Sequence, residues 1–163
     1  MGKTVLITGA SRGIGAAMAK LFAEKGHSVA INYHRSEQAA EALVAALPGA
    51  LAVKADVGDE AQVKQMFQTV EQTLGPVDIL INNAGISSFR LFTDLTASEW
   101  ARTMDVMVNG AFYCCQAALP HMIHQKSGSI LNISSIWGVS GASCEVHYST
   151  AKAALIGSSI KGA

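Results

Sequence analysis

The chain comprises 163 residues, half of them hydrophobic and only 15% charged, with 12 basic and 12 acidic side chains cancelling to zero. Charge this far below the roughly 25% usual for globular proteins, joined to high hydrophobicity, excludes intrinsic disorder and predicts one soluble domain with a substantial core. No basic block occurs, which argues against nucleic acid or an anionic membrane surface as the partner and turns attention to small molecules.

Read from the N-terminus, Thr4 to Thr8 is a first strand. Its apolar run is too short for a signal-peptide core or a membrane span, so a cytoplasmic location is expected. A glycine-rich turn follows and opens a helix whose apolar stripe is Ile14, Met18, Leu21 and Phe22. Ser28 to Tyr33 and Leu51 to Lys54 read as the second and third strands, separated by a helical stripe of Ala40, Leu43, Val44 and Leu47. Asp59 with Gln62 is spaced as a reciprocal cap for a third helix, with stripe Val63, Met66, Phe67 and Val70, and Gly75-Pro76 stops it. Val77 to Ile81 is the fourth strand. Thr96 with Glu99 caps a long helix running to about Gln125, with apolar positions Trp100, Met104, Val108, Ala111, Cys115, Ala118 and Met122 and a bend expected at Pro120. Ser129 to Ile133 is the fifth strand, and a last helix begins near Tyr148 and ends in the poor helix former Gly157 to Ala163. Strands alternating with helices predict βαβ units: an α/β fold with a Rossmann-like, doubly wound parallel sheet in three α/β/α layers, forming one domain over 1–163. Cys114, Cys115 and Cys144 supply no paired framework and read as reduced thiols.

Three places carry chemistry. Thr8-Gly9-Ala10-Ser11-Arg12-Gly13-Ile14-Gly15 has the spacing G-x-x-x-G-x-G. Glycines there allow a tight turn and let backbone N–H groups approach a pyrophosphate at a helix N-terminus. Asn82-Asn83-Ala84-Gly85 ends the fourth strand, at the sheet edge where open α/β folds bind ligands. Asp56, ending the third strand, either accepts from an adenine amino group or begins the turn into Asp59. Ser134-Ser135 precedes Tyr148 and Lys152, which are four apart and so share a helix face. A free tyrosine has a pKa of about 10, and a neighbouring cation stabilises its phenolate towards neutral pH.

Taken together these motifs resemble the short-chain dehydrogenase/reductase family from Lys3 to about Gly157, most closely its 3-oxoacyl-[acyl-carrier-protein] reductase group. The resemblance implies a tetrad of Asn109, Ser135, Tyr148 and Lys152. In it Tyr148 gives a proton to the substrate carbonyl as hydride arrives, Ser135 hydrogen-bonds that oxygen, Lys152 holds the nicotinamide ribose and depresses the tyrosine pKa, and Asn109 anchors a water relaying protons to Lys152. The implied cofactor cradle is Gly9, Ser11, Arg12, Gly13, Ile14, Gly15, Asn32, Arg35, Ser36, Asp56, Val57, Asn83, Ala84 and Gly85, with Tyr148 and Lys152. Asn32 stands where an NAD-binding fold usually places an acid after the second strand, and Arg12 and Arg35 suit a 2′-phosphate, so NADP(H) is the expected cofactor.

The expected activity is reduction of a ketone, such as a 3-oxoacyl thioester, in fatty acid biosynthesis. A homo-oligomer is expected too, with no nucleic acid, membrane or metal as partner. His121 and His124 lack a third metal ligand at fitting spacing, and a Cys144–His147 nucleophile and base would fall in the wall of the substrate pocket. Family members run to about 250 residues, within the range of one α/β domain. The fold is therefore expected to be incomplete at the C-terminus, and the alternative reading is a catalytically inactive dinucleotide-binding or interaction protein.

Overall fold

The computed structural model describes residues 2–159. Five parallel strands, β1 (Thr4–Ile7), β2 (Ser28–Tyr33), β3 (Ala50–Lys54), β4 (Ile79–Asn82) and β5 (Ser129–Asn132), lie in the order β3-β2-β1-β4-β5. The strand order reverses beside β1, whose neighbours are β2 and β4, and that reversal opens a crevice at the carboxyl ends of the strands.

Side chains alternate across a pleated strand, so each strand feeds two cores. Val5, Ile7, Val29, Ile31 and Ile81 face one layer, built from α1 (Gly13–Glu24) and α2 (Glu37–Ala45). Leu6, Ala30, Val53 and Leu80 face the other, built from α3 (Glu60–Leu74), α5 (Gly110–Gln125) and α7 (Val146–Gly157). The three-layer α/β/α arrangement is the one the sequence predicts. On α3 the stripe Val63, Met66, Phe67 and Val70 is fully buried, each side chain contributing roughly 1.5–3 kcal/mol, enough to hold the helix in place.

Two helix faces differ from their predicted stripes. Ile14 and Leu21 are 66% and 49% exposed, and α1 packs instead through Gly15 and Ala19 with Met18 and Phe22 beside them. A small residue at position 15 lets the helix backbone approach the glycine turn, which swings Ile14 out. The long helix is also not uniform. α4 (Ala97–Met104) passes through a π-helical segment, Asp105–Asn109, before α5 begins. The wider winding changes the register, and the buried side runs through Thr103, Val106, Met107, Gly110, Ala111, Cys114, Ala118 and Met122, with Trp100 left exposed.

Helix termini follow local chemistry. Thr96 and Glu99 form the reciprocal capping box. Asp59 accepts from the backbone N–H groups of Ala61 and Gln62, but the Gln62 carbonyl oxygen accepts from Asp56 N–H rather than from Asp59, so that box is not reciprocal. Pro120 sits on the exposed side of α5, where the carbonyl its missing N–H leaves behind is open to solvent. A four-residue helix, α6 (Trp137–Ser140), precedes α7. Residues 160–163, part of the predicted poor helix former, lie outside the described residues. No helix among the described residues is long and apolar enough to cross a membrane.

Candidate active site

The β1–α1 turn is built for close backbone approach. Gly9 has φ of +62°, and a Cβ on it would lie 2.9 Å from Ala84 Cα, so the turn rests directly on the Asn83-Ala84-Gly85 segment. The two are pinned together: Asn83 Nδ2 donates to the Thr8 and Gly9 carbonyls at 2.9 and 3.1 Å, and Asn83 and Ala84 N–H donate to Thr8 Oγ1. At the start of α1 the N-cap Arg12 makes no side-chain cap bond and the first turn carries no acid. Free N–H groups and the positive end of the helix dipole therefore face a cleft of about 650 Å³. Gly13, at φ of +57°, has nothing within 4 Å of its Cβ position, so the cleft floor there is open.

Asn32 is among the residues of the cleft and is also tied into the backbone beneath it. It is 2% exposed, its Oδ1 accepts from Gly9 N–H, and its Nδ2 donates to the Val53 and Ala55 carbonyls. Strands β1, β2 and β3 converge there, and burial obliges the amide to satisfy their backbone groups, so it braces the glycine turn from beneath.

Beyond β2 and β3 the cleft is edged by His34, Arg35, Ser36, Asp56, Val57 and, unforeseen from sequence, Arg102 of α4. Arg102 pairs with Asp56 at 2.8 Å and Asp56 Oδ1 accepts from Gly58 N–H, which fixes this carboxylate at the mouth while leaving lone pairs free. Val57 also packs against Gly110, which ties this edge of the cleft to the start of α5. Glu37, the first acid after β2, accepts from Tyr33 OH and pairs with Lys54, away from the two exposed arginines Arg12 and Arg35.

The opposite end holds Tyr148 and Lys152 on α7. Lys152 is 4% exposed, donates to the Ile133 carbonyl, and places its ammonium 5.6 Å from the centre of the Tyr148 ring. Burial pushes its pKa below the ordinary lysine value. Ser134 Oγ donates to the Lys152 carbonyl, and Ser135 Oγ accepts from Trp137 N–H, which stitches the end of β5 to α7. A Cβ on Gly138 would lie 2.7 Å from the Lys152 backbone, so α6 and α7 touch main chain to main chain. Gly85, which lines the cleft, thus lies beside the Lys152 ammonium and, through it, the Tyr148 ring.

Asn109 ends the π segment, immediately before α5. Its Nδ2 donates to Asp105 Oδ1 at 2.9 Å, one turn back on the π segment. Met107 takes the inward position: its methyl group and the Lys152 ammonium lie 3.6 and 3.9 Å from the Cβ position of Gly85. The sequence signal was Gly110, whose close approach to Val57 sets the register of this helix. His147 was likewise read only as a possible base. It is 1% exposed, and its Nε2 shares a hydrogen bond with Ser88 Oγ while Ser87 donates to Glu145 and Arg90 N–H to the Cys144 carbonyl. These three ties clamp the loop after Gly85 to the turn before Tyr148.

The fold and the pairing of a glycine cleft with a tyrosine and lysine define a doubly wound α/β protein with a ligand crevice at the carboxyl ends of its strands. A profile described as short chain dehydrogenase matches residues 3–161, and the chain belongs to that family. It is 40% identical over 161 residues to a 3-oxoacyl-[acyl-carrier-protein] reductase of Staphylococcus aureus, covering 96% of this chain and 65% of that protein. A 3-oxoacyl-[acyl-carrier-protein] reductase of Synechocystis sp. is 39% identical over 95% of this chain and 64% of its own length. An L-rhamnose 1-dehydrogenase (NAD(P)(+)) of Sphingomonas sp. is 41% identical over 93% and 62%. The chain spans just under two thirds of the length of these relatives.

Proposed function

We propose that this chain is the cofactor-binding and catalytic portion of an NADP(H)-dependent oxidoreductase that reduces a ketone, a 3-oxoacyl thioester or a similar carbonyl. The observation that carries the reading is the buried Lys152 ammonium beside the Tyr148 ring at the end of the glycine-lined cleft. The bound nicotinamide supplies hydride. Tyr148 donates its phenolic proton to the carbonyl oxygen, Lys152 stabilises the phenolate that remains, and Ser135 hydrogen-bonds the oxygen as it gains charge. Open N–H groups at the start of α1 suit a pyrophosphate, and the free carboxylate lone pairs of Asp56 suit an amino group on adenine. Exposed Arg12 and Arg35, with Glu37 engaged elsewhere, favour a 2′-phosphate. The names of two relatives, both 3-oxoacyl-[acyl-carrier-protein] reductases, support a 3-oxoacyl thioester as the substrate class.

A second reading, a dinucleotide-binding or interaction protein without turnover, is favoured by one observation. β5 ends the sheet, and beside it lies a groove of about 820 Å³ lined by Leu119, Met122, Ile123 and Ile130. Fluorescence titration with NADPH and steady-state reduction of a 3-oxoacyl thioester, for the wild type and Tyr148→Phe, separate the two. The reductase reading requires turnover that Tyr148→Phe abolishes while NADPH binding stays unchanged. NADPH binding with no turnover in either protein supports the second reading.

A further inference from the structure

The loop that follows β4 is tied to the Tyr148–Lys152 pair at both of its ends. It leaves the cleft at Gly85, beside the Lys152 ammonium, and passes Ile86 in the cleft wall. Ser87, Ser88 and Arg90 then fasten it to Glu145, His147 and the Cys144 carbonyl, just before Tyr148. Of the two side-chain ties only Ser88–His147 reaches the interior: Ser87 and Glu145 meet at the surface, whereas the imidazole is 1% exposed. Its Nδ1 has no hydrogen-bond partner among the described residues. With the proton on Nε2 and donated to Ser88 Oγ, only a lone pair stays unpaired at Nδ1, which costs less than an orphaned N–H. A leucine would fill this space with no unpaired nitrogen, so burial gives no reason for a histidine here, and the bond to Ser88 does.

We propose that His147 is a positioning residue: its Nε2 bond to Ser88 sets where the Ile86 wall of the cleft stands relative to Tyr148. The catalytic meaning rests on the reductase reading, whereas the clasp does not. A wall held by one part-exposed hydrogen bond opens and closes, and a substrate that leans on it binds only the closed fraction, so apparent affinity falls with that fraction. Once bound, the substrate holds the wall shut. Loosening the clasp therefore raises KM while kcat stays, and NADPH affinity, set at the β1–α1 turn, stays with it.

The test compares the wild type with Ser88→Ala, His147→Leu and His147→Gln. Hydrogen exchange at Arg90 N–H, followed by NMR, reports the closed clasp through its bond to the Cys144 carbonyl, and steady-state kinetics with NADPH and a 3-oxoacyl thioester report the reaction. Ser88 is exposed, so its truncation leaves the core intact even if His147→Leu fails to fold. Ser88→Ala and His147→Leu are expected to speed Arg90 exchange about fivefold, as the loss of one hydrogen bond allows, and to raise KM about two- to threefold at constant kcat and constant NADPH affinity. His147→Gln, whose side-chain amide reaches Ser88 from the place of Nε2, restores both. Unchanged exchange in Ser88→Ala overturns the clasp, and faster exchange with an unchanged KM overturns the positioning role. Faster exchange in a set of proteins of which none, wild type included, turns over supports the placement of the wall and refutes the reductase reading.

Discussion

Gly15→Ala is the sharpest perturbation of the cleft, because a single methyl group would enter the junction of three segments. The new Cβ would lie 2.7 Å from Asn83 Nδ2, 2.8 Å from Ala10 Cα and 2.9 Å from the Gly9 carbonyl oxygen. Two of these are backbone atoms and cannot swing away; the third belongs to the amide that ties the glycine turn to β4. Losing both Asn83 bonds costs about 2 kcal/mol, and forced displacement of packed main chain adds about 1–3. Alanine returns at most about 1 kcal/mol through better helix propensity. The net loss is about 3 kcal/mol, or roughly 10 °C in melting temperature for a domain of this size. Thermal unfolding followed by circular dichroism measures it, and NADPH titration should show weaker binding because the turn no longer rests on Ala84. Gly157→Ala, with nothing within 4 Å of its Cβ and an ordinary φ, is the control and should be neutral or slightly stabilising. A Gly15→Ala protein that melts with the wild type and binds NADPH equally well would refute the close-packing argument.

Other outcomes are open to direct measurement. NADPH should bind more tightly than NADH, and Arg35→Ala should narrow the gap by about fivefold, as expected for one exposed charge contact; equal affinities in the wild type would refute the phosphate reading. Capping-box hydrogen bonds from Thr96 and the Arg90 contact hold the Glu99 pKa down at about 2 from 4.5. A carboxyl depressed on folding contributes its full stability above about 4.5 and loses it as pH falls towards about 2, so denaturant midpoints should drop across that window, and less steeply in Glu99→Gln. Leu131 is 42% exposed on β5 at the sheet edge, and Leu131→Lys should reduce self-association in sedimentation velocity; unchanged association would show that this edge is not the contact.

The sheet was legible because β-branched runs such as Val5-Leu6-Ile7 can be buried on both faces only as central parallel strands, and glycine or an Asx residue bounds each one. Tyr148 and Lys152 were legible for a similar reason: spacing of four fixes a common helix face whatever surrounds it. The bracing role of Asn32 was not legible, because its residue type suits a ribose as well as a backbone brace and the brace depends on the convergence of three strands. The π winding through residues 105–109 was not legible, because regular apolar spacing along the sequence implies one uniform helix there. Arg102 and His147 act across contacts distant in sequence, Asp56 and Ser88 respectively, and no local pattern announces such pairs.

The π segment makes helix length itself a constraint. Arg102, three residues after the capping Glu99, meets the Asp56 carboxylate at one end of the cleft, and Met107, five positions later, lies beside Gly85 at the other. Each residue of an α-helix turns by about 100°. Deleting one residue between 105 and 109 would close the wide turn into ordinary winding and rotate α4 by that angle relative to α5, carrying Arg102 off Asp56 while every substitution-sensitive residue stayed in the chain. Point changes along this helix are therefore tested one contact at a time, whereas a change in count is tested by both ends of the cleft together.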